Sequence, residues 1–376
     1  MKIMIAAGGT GGHIYPGLAI AEEIKRRKPE SEIIFVGSFV GMEKDIIPKY
    51  GFPLEFVRAR GFERGFSWET IEALKGIIDG ILDSKKLLKK IKPDIVIGTG
   101  GFTSAAIVRE AAMKKIPTLI HEQNAYPGRA NRLLSRRVNR IAISFEEALQ
   151  FLPKDKCVFT GNPVRSEFKS LQKDECRKKL GIRDSEFFVL GVGGSQGAGS
   201  INKAMVEYET KHMNNEVVIC HLTGQAQYKE IVGEIDLAQV KWYENFDESF
   251  DESGSRIIVQ AYSDKMATLL GAADLVLSRS GAMSIAEFAA VGVPSILVPF
   301  PNAAGDHQRI NAQAIANLGG GVLIEDGLLS GIVLKAEIEK FHNNIELAKK
   351  MALSAKAYGT IYADQKIVDE VCGLLE

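Results

Sequence analysis

The sequence predicts an α/β protein made of two doubly wound domains with parallel sheets. Short apolar runs alternate with amphipathic stretches along the chain, which is typical of βαβ units. The alternation is complete within each half, and 376 residues are too many for one ordinary hydrophobic core. We therefore expect two complete α/β domains, each of common size.

Thirteen short apolar runs are the predicted strands. In the first half of the chain they cover residues 3–7, 33–36, 56–57, 95–98, 118–121, 140–143 and 157–160. In the second half they cover residues 187–192, 217–222, 256–259, 275–277, 295–298 and 321–323. No repeat with a period of 20–50 residues occurs, so the likeness between the halves is one of architecture.

The boundary between the domains is predicted at a turn. Residues 160–163 read TGNP, and Pro163 biases Asn162 away from helix. The predicted domains are therefore residues 1–161 and 162–376. The last helical stretch, about residues 355–376, has two possible partners, the second domain or the first.

Charge and composition exclude several classes of protein. The 47 basic and 47 acidic residues cancel, whereas a general nucleic-acid binder carries a basic excess. The four cysteines lie far apart, which is typical of reduced thiols in a cytosolic protein. We find no secretory signal pattern, and no apolar run approaches the ~20 residues of a transmembrane helix. Any membrane contact is therefore expected at the bilayer surface.

Three predicted strands run directly into paired glycines, at residues 8–12 (the first turn), 100–101 (the second turn) and 193–197 (the third turn). A glycine turn between a strand and a helix surrounds an anion with backbone N–H groups and a positive helix terminus. The alternative is a tight turn without a ligand. Ile14 replaces the last glycine of a dinucleotide fingerprint, and no P-loop lysine follows any turn. The pattern therefore disfavours NAD-dependent oxidoreductases and P-loop nucleotidases.

His13 follows the first turn, at the carboxyl end of the first predicted strand and the start of a helix. Open α/β sheets bind ligands at this place. A histidine here can take a proton from an attacking hydroxyl near neutral pH, and the helix dipole favours its neutral form. The alternative is a structural histidine. We predict that His13 is the catalytic base.

Polar side chains also follow two strands of the second half. Glu287 lies about one turn into a helix predicted over residues 284–290, where a carboxylate suits the hydroxyls of a ribose. The alternative is a solvated glutamate that the helix dipole favours. Asp306, His307, Gln308 and Asn311 add groups that can read sugar hydroxyls. No motif for glycoside hydrolysis or metal binding occurs, so no catalytic metal is predicted.

Residues 68–92 are predicted to form an amphipathic helix, with Ser67 as its N-cap. Its central apolar stripe contains Leu74, Ile77, Ile78, Ile81 and Leu88. One flank mixes apolar and basic residues, namely Trp68, Ile71, Leu82, Lys75, Lys86 and Lys89. Such a flank fits contact with an anionic membrane surface. The alternative is a core helix with a solvated lysine face.

Seven motifs occur in this order along the chain: GGTGGHIYP (8–16), GTGGF (98–102), HEQNAYPGRAN (121–131), GNPVR (161–165), GGSQGA (193–198), SRSGAMSIAE (278–287) and DHQRINA (306–312). Together they resemble the MurG family of peptidoglycan N-acetylglucosaminyltransferases. HEQN and GGSQGA in combination are specific to that family. The resemblance covers essentially the whole chain.

The resemblance implies a GT-B fold, in which two Rossmann-like domains face a cleft that holds the active site. It implies inverting transfer of N-acetylglucosamine from UDP-N-acetylglucosamine to the 4-hydroxyl of undecaprenyl-pyrophosphoryl-N-acetylmuramyl-pentapeptide. That reaction serves cell-wall synthesis and so cell shape and division. The resemblance also implies that no cofactor or catalytic metal is needed and that the protein sits peripherally on the cytoplasmic face of the cell membrane. Nucleic acid is not expected as a partner, because the charges balance.

The resemblance assigns roles to particular residues. The donor contacts it implies are Thr10, Gly11, Gly12, Asn124, Arg165, Ser195, Ser263, Ala282, Met283, Ser284, Glu287 and Gln308. The acceptor contacts are His13, Gly100, Gly101, Phe102 and Asn124. Ser195 would lie near the diphosphate, Glu287 on the ribose and Gln308 on the sugar hydroxyls. The backbone of Ser263, where the family often has Ile, would hold the uracil.

One departure concerns the acceptor side. After GGF the family commonly has x-Ser-Gly-Pro, whereas this chain has Ala105 and Ala106 after Ser104. The geometry of an acceptor diphosphate at this turn is therefore left open.

Three alternatives remain at this point. One is a GT-B glycosyltransferase that acts on a diacylglycerol or a small molecule. Another is a UDP-N-acetylglucosamine 2-epimerase on the same fold, and the third is a non-catalytic sensor of nucleotide sugars.

Overall fold

The computed structural model describes residues 1–58, 68–194, 197–214, 216–246, 256–358 and 361–376, without the side chains of 68–75 and 77. The chain divides into two compact units. The first unit comprises Met1–Arg165 and Thr360–Glu376, and the second comprises Ser166–Gly359. Each unit is an α/β structure around one parallel sheet. The predicted fold class, two doubly wound α/β domains, is confirmed.

The described part of the first unit contains strands β1 (Lys2–Ala7), β2 (Glu32–Gly37), β3 (Leu54–Phe56), β4 (Ile95–Gly100), β5 (Thr118–Glu122), β6 (Arg140–Ile143) and β7 (Cys157–Phe159). Their order across the sheet is β3-β2-β1-β4-β5-β6-β7, and all pairs are parallel. The chain winds outward in both directions from β1 and β4. The carboxyl ends of these two neighbours therefore form the crevice where doubly wound sheets bind ligands.

The described part of the second unit contains strands β8 (Phe187–Val192), β9 (Val217–Leu222), β10 (Arg256–Gln260), β11 (Leu275–Ser278), β12 (Ser295–Leu297) and β13 (Val322–Leu323). Their order is β10-β9-β8-β11-β12-β13, again with parallel pairs throughout. Here the winding reverses between β8 and β11. The third turn follows β8, and the segment that contains Glu287 follows β11.

Fourteen helices occur in the described residues: α1 (Gly11–Arg27), α2 (Glu43–Ile46), α3 (Trp68–Ile91), α4 (Gly101–Met113), α5 (Arg129–Leu134), α6 (Lys173–Lys179), α7 (Gly199–Lys211), α8 (Tyr228–Leu237), α9 (Met266–Ala272), α10 (Ala282–Val291), α11 (His307–Asn317), α12 (Gly331–His342), α13 (Ile345–Tyr358) and α14 (Ala363–Gly373). None of them is both long enough and apolar enough to cross a membrane.

Both faces of the first sheet are buried, which explains why its strands read as continuous apolar runs. In β1, Ile3 and Ile5 belong to the core on one face, while Met4 and Ala6 belong to the core on the other. The alternation follows from the two-residue period of a strand. Parallel strands occur at all thirteen predicted places. The prediction for the third was wrong by two residues, because its ladder with β2 begins at Leu54 and ends at Phe56.

The last helix packs on the first unit. In α14, Ile367, Val368 and Val371 are buried in the same core as β1 and α1. Arg27 of α1 lies 2.5 Å from a carboxylate oxygen of Asp369 and donates to the backbone carbonyl of Gln365 at 3.1 Å. Of the two placements that the sequence left open for this helix, the structure has the one on the first unit. The four cysteines are free thiols, two of them buried.

Candidate functional site

The first turn joins β1 to α1 and places His13 in the first helical turn. Gly9 has a φ of 95°, a conformation that glycine adopts readily. Thr10 is the extended residue before the helix, and its carbonyl accepts hydrogen bonds from the N–H groups of His13 at 3.0 Å and Ile14 at 3.2 Å. Thr10 and Gly12 are exposed, while His13 is half-buried. The turn therefore presents backbone and one imidazole at the carboxyl edge of the sheet.

The second turn packs directly against this imidazole. A Cβ atom added to Gly100 would lie 2.5 Å from Nδ1 of His13, and one added to Gly101 would lie 2.5 Å from the carbonyl oxygen of Gly8. Both glycines have positive φ angles, 116° and 84°. Thr99, at the end of β4, donates its hydroxyl to the backbone carbonyl of His13 at 2.7 Å. The structure thus brings His13, Gly100 and Gly101 together. The resemblance assigns all three to the acceptor, and that role stays a prediction.

The end of β5 joins the same network through Gln123, which sequence reasoning did not single out. Its side-chain amide nitrogen donates to the carbonyl of Thr99 at 2.7 Å and lies 3.0 Å from Nδ1 of His121. Nε2 of His121 lies 3.3 Å from the carbonyl oxygen of Gly161. The neutral tautomer with its proton on Nε2 satisfies both contacts. Burial lowers the pKa of His121 to about 4, with a smaller contribution from His13.

Glu122 organises the loop that carries Asn124. Its buried carboxylate accepts from the backbone N–H groups of Asn124 and Gly128, both at 3.0 Å, and from the side-chain amide of Asn131 at 2.8 Å. Burial nevertheless raises the pKa of Glu122 above its ordinary value. Asn124 itself is half-buried. The hydrogen bonds of the Glu122 carboxylate therefore fix the loop that carries Asn124, and with it the position of Asn124.

Two other predicted contacts of the first unit lie beside these turns. The guanidinium of Arg165 stacks on the ring of Tyr15, two residues beyond His13, with its central carbon 4.6 Å from the ring centroid. Phe102, in the first turn of α4, is 55% exposed. Ser104, also in α4, is fully buried, so its side chain is part of the packing of that helix.

The third turn of the second unit leads into α7. Ser195 lies outside the described residues, as does Gln196. Asn202 of α7 is buried and donates its side-chain amide to the carbonyl of Thr223 at 2.9 Å. Its oxygen accepts from Nε2 of His221 at 3.1 Å. Asn202 therefore connects the start of α7 by hydrogen bonds to the end of β9 and to the residue that follows that strand.

The segment after β11 positions the remaining predicted donor contacts. Ala282, Met283 and Ser284 form the first turn of α10, and Glu287 follows one turn later, half-buried. The helix agrees with the prediction for residues 284–290. Ser263, in the loop after β10, is half-buried and accepts a hydrogen bond from the backbone N–H of Lys265 at 3.2 Å.

Gln308 stands at the start of α11 and is held at both ends. Its side-chain oxygen accepts from the backbone N–H of Phe300 at 3.0 Å. Its carbonyl accepts from the hydroxyl of Ser280, a fully buried residue between β11 and α10, at 2.8 Å. The orientation of the Gln308 amide is thereby fixed, with the oxygen toward the backbone of Phe300. This leaves the amide nitrogen as the group suited to a sugar hydroxyl.

Arg279 is a second residue that sequence reasoning missed. Its guanidinium pairs with Asp326 and donates to the hydroxyl of Ser200 in α7 at 3.1 Å. It also donates to the carbonyl of Pro299 at 3.2 Å. Burial alone would raise the pKa of Asp326, but the hydrogen bonds from Ser200 and Arg279 lower it below its ordinary value. These contacts join the loops after β8, β11, β12 and β13 at one edge of the sheet.

The surface of α3 is described from residue 78 onward, with Gly76 before it. Ile78 and Leu82 are 56% and 47% exposed, one helical turn apart, and Lys86 and Lys89 are exposed on the following turns. The side chains of Trp68, Ile71 and Lys75 lie outside the described residues, as does Ser67. The residues of the predicted apolar stripe therefore do not share one environment, because Ile78 is exposed whereas Leu88 is buried in the core.

No cluster of three or more potential metal ligands occurs among the described residues.

Two domain patterns match the chain. The Glycosyltransferase family 28 N-terminal domain matches residues 3–143, and the Glycosyltransferase family 28 C-terminal domain matches residues 188–366. The chain belongs to glycosyltransferase family 28. The first, second and third turns of this family 28 enzyme all lie within the two matched ranges.

Relatives of this family 28 chain resemble it over its full length. A protein of Acetivibrio thermocellus is 39% identical over 378 residues, which cover 100% of this chain and 99% of that protein. One of Desulforudis audaxviator is 41% identical over 371 residues, 98% of this chain and 97% of that protein. Both are named UDP-N-acetylglucosamine–N-acetylmuramyl-(pentapeptide) pyrophosphoryl-undecaprenol N-acetylglucosamine transferase.

Two solved structures resemble this chain over nearly its full length. MurG of Acinetobacter baumannii is 26% identical with a TM-score of 0.75, and the match covers 99% of each chain. The UDP-GlcNAc 2-epimerase of Neisseria meningitidis has a TM-score of 0.70 at 16% identity, over 99% of this chain and 100% of that one. The latter likeness shows a shared fold alone. The predicted resemblance to the MurG family is confirmed, and so is the prediction of two Rossmann-like α/β domains of the kind found in that family.

The buried His121 predicts how stability depends on pH. Because its pKa is about 4 in the folded protein and about 6.5 in an unfolded chain, the unfolded state binds more protons between these values. Stability is therefore expected to fall by up to about 3 kcal/mol as pH drops from 6.5 to 4. His121→Gln should flatten this part of the urea-unfolding profile, measured against His212→Gln as a control. Equal slopes in wild type and His121→Gln would contradict the assignment.

Proposed function

We propose that this chain transfers N-acetylglucosamine from UDP-N-acetylglucosamine to the 4-hydroxyl of undecaprenyl-pyrophosphoryl-N-acetylmuramyl-pentapeptide. The observation that carries the proposal is the full-length identity of 39% and 41% with relatives that are named as this transferase. The likeness to MurG of Acinetobacter baumannii supports it. The product is the lipid-linked disaccharide used to build peptidoglycan.

The second unit is the proposed donor site. Backbone N–H groups of the third turn and the amino terminus of α7 suit the UDP diphosphate, with Ser195 nearby. We assign Glu287 to the ribose hydroxyls, because a carboxylate accepts two hydrogen bonds side by side. Gln308 would donate its amide nitrogen to the sugar, which is supported by the fixed orientation of that amide. The backbone of Ser263 would hold the uracil.

The proposed chemistry is a single in-line displacement at the anomeric carbon. The bond from that carbon to the UDP phosphate oxygen breaks as the bond to the acceptor oxygen forms, which inverts the configuration. His13 takes the proton of the acceptor hydroxyl, and Gly100, Gly101, Phe102 and Asn124 are the proposed acceptor contacts. UDP leaves with both electrons of the broken bond. In this proposal backbone N–H groups, and no metal ion or other cofactor, stabilise its charge.

The acceptor is a lipid, so we also propose that the enzyme works at the cytoplasmic membrane surface without spanning it. The exposed pair Ile78 and Leu82, followed by Lys86 and Lys89, supports this proposal. Apolar side chains beside lysine heads suit the boundary between acyl chains and anionic headgroups. Trp68, Ile71 and Lys75 belong to the same proposed surface.

The function is tested by incubating the full-length protein with UDP-N-acetylglucosamine, with and without a lipid-linked muramyl-pentapeptide. Disaccharide that forms only with the acceptor supports the proposal. Epimerised donor in the absence of acceptor would instead indicate a 2-epimerase. Transfer to diacylglycerol in a third arm would indicate a different acceptor class, and donor binding without any turnover would indicate a sensor.

His13→Ala is expected to lower kcat about 100- to 10,000-fold, because general base catalysis is typically worth that much. The affinity for UDP-N-acetylglucosamine, measured by calorimetry, should change little. His212→Ala, which removes a histidine from the second unit, is the control and should keep its activity. Unchanged turnover in His13→Ala would refute the base assignment.

Charge reversal at both Lys86 and Lys89 is expected to weaken binding to vesicles that contain anionic lipid. Each lysine near such a surface contributes about 1 kcal/mol, so loss of both contributions lowers partitioning roughly 30-fold at low salt, and repulsion of the two new carboxylates should lower it further. The matched control reverses Lys349 and Lys350 on α13, which are also exposed. If both double variants bind like the wild type, α3 does not contact lipid.

A further inference from the structure

A buried carboxylate lies behind the first turn. Glu43, the first residue of α2, has 0% exposure. Two glycines leave the space for it, since a Cβ atom on Gly37 or Gly41 would come within 2.3 or 2.0 Å of its side chain. Placing a carboxylate in the interior is costly unless hydrogen bonds satisfy both of its oxygens.

Both oxygens of Glu43 accept hydrogen bonds from neutral donors. One oxygen accepts from the backbone N–H of Gly9 in the first turn at 3.0 Å. The other accepts from the backbone N–H of Ser38 at 2.6 Å and from its hydroxyl at 2.8 Å. No lysine or arginine in the described ranges forms an ion pair with Glu43. Acceptance on both oxygens is the pattern of an ionised carboxylate.

We propose that Glu43 is a built-in anion that occupies the first turn and holds it in its active conformation. The N–H of Gly9 is the kind of donor that a glycine turn offers to a phosphate, but here it is given to the protein's own carboxylate. A diphosphate brought to the same place would meet an uncompensated negative charge. The first turn is therefore selective for a neutral, hydroxyl-bearing part of the substrate, and the acceptor's diphosphate binds elsewhere.

The effect of Glu43 reaches the reaction through the backbone, so it is a positioning residue. Gly9 has a positive φ and no side chain to restrain it, and its hydrogen bond to Glu43 fixes its peptide. The next residue, Thr10, accepts the hydrogen bonds from His13 and Ile14 that begin α1. Release of Gly9 would thus loosen the start of the helix on which the proposed base stands. This part of the inference rests on the proposed function.

The first test asks whether the vacated turn takes up an anion. Inorganic pyrophosphate is titrated into full-length, 15N-glycine-labelled protein, and the amide signal of Gly9 is followed. In Glu43→Ala the signal should move in a saturable manner, whereas in the wild type it should not move. Glu23→Ala removes another buried carboxylate of the first unit and should behave like the wild type. A wild-type Gly9 signal that shifts as much as that of the variant overturns the inference.

The second test uses chemical rescue of turnover. Glu43→Ala should lower kcat/KM for the lipid-linked acceptor about 10- to 100-fold, as expected for a lost hydrogen bond to a charged group, and leave donor affinity unchanged. Formate should restore part of the loss, and chloride should not. Activity lost in Glu23→Ala should not respond to formate. A folded Glu43→Ala variant that binds donor but is not rescued overturns the positioning role.

Glu43→Gln keeps the volume of the side chain and serves if the alanine variant does not fold. Its amide nitrogen would face one of the N–H donors, so kcat/KM for the acceptor should fall about tenfold without formate rescue. Wild-type activity in Glu43→Gln overturns the inference. If the wild type itself makes no disaccharide, the proposed function fails, but the pyrophosphate titration still decides whether Glu43 fills the turn.

Discussion

The first unit depends on how closely the end of β4 approaches the start of α1. Gly100 leaves room for the imidazole of His13, and Gly101 leaves room for the carbonyl of Gly8. A single methyl group at either position would come within 2.5 Å of a neighbour, and the positive φ angles exclude most other residues. This contact exists because β1 and β4 are neighbours at the point where the winding of the sheet reverses.

The second unit solves a comparable problem with side chains. At its own reversal point, between β8 and β11, Arg279 gathers Asp326 and Ser200 into one cluster of hydrogen bonds. Hydrogen bonds to Ser200 and Pro299 and the ion pair with Asp326 hold four loops together at this point. The first unit instead relies on close packing at glycines. The two units therefore share a topology and differ in the means by which they keep their loops in place. Gln308 likewise connects separate segments, because it accepts hydrogen bonds from Ser280 and from Phe300.

The sequence predicted both sheets, because strands follow from local apolar patterns. It also placed His13 and the glycine turns at the carboxyl ends of strands, but their contact with one another was seen only in the structure. It did not reveal Glu43, Gln123 or Arg279. Each acts through contacts with residues distant in the chain, such as the 34 positions between Glu43 and Gly9. An isolated glutamate after a strand looks like any surface glutamate. Only three-dimensional contacts distinguish it, apart from the weak signal of two glycines shortly before it, Gly37 and Gly41.

The packing of α14 against α1 has a consequence for how the protein is made. The second unit is an insertion between the two segments of the first. During synthesis the core around β1 therefore stays incomplete until Ile367 and Val371 have left the ribosome, after the second unit has been produced. The second unit can fold while the chain grows, but the first must wait until α14 has been made. Nascent chains that have not yet reached α14 should thus expose apolar surface that chaperones recognise.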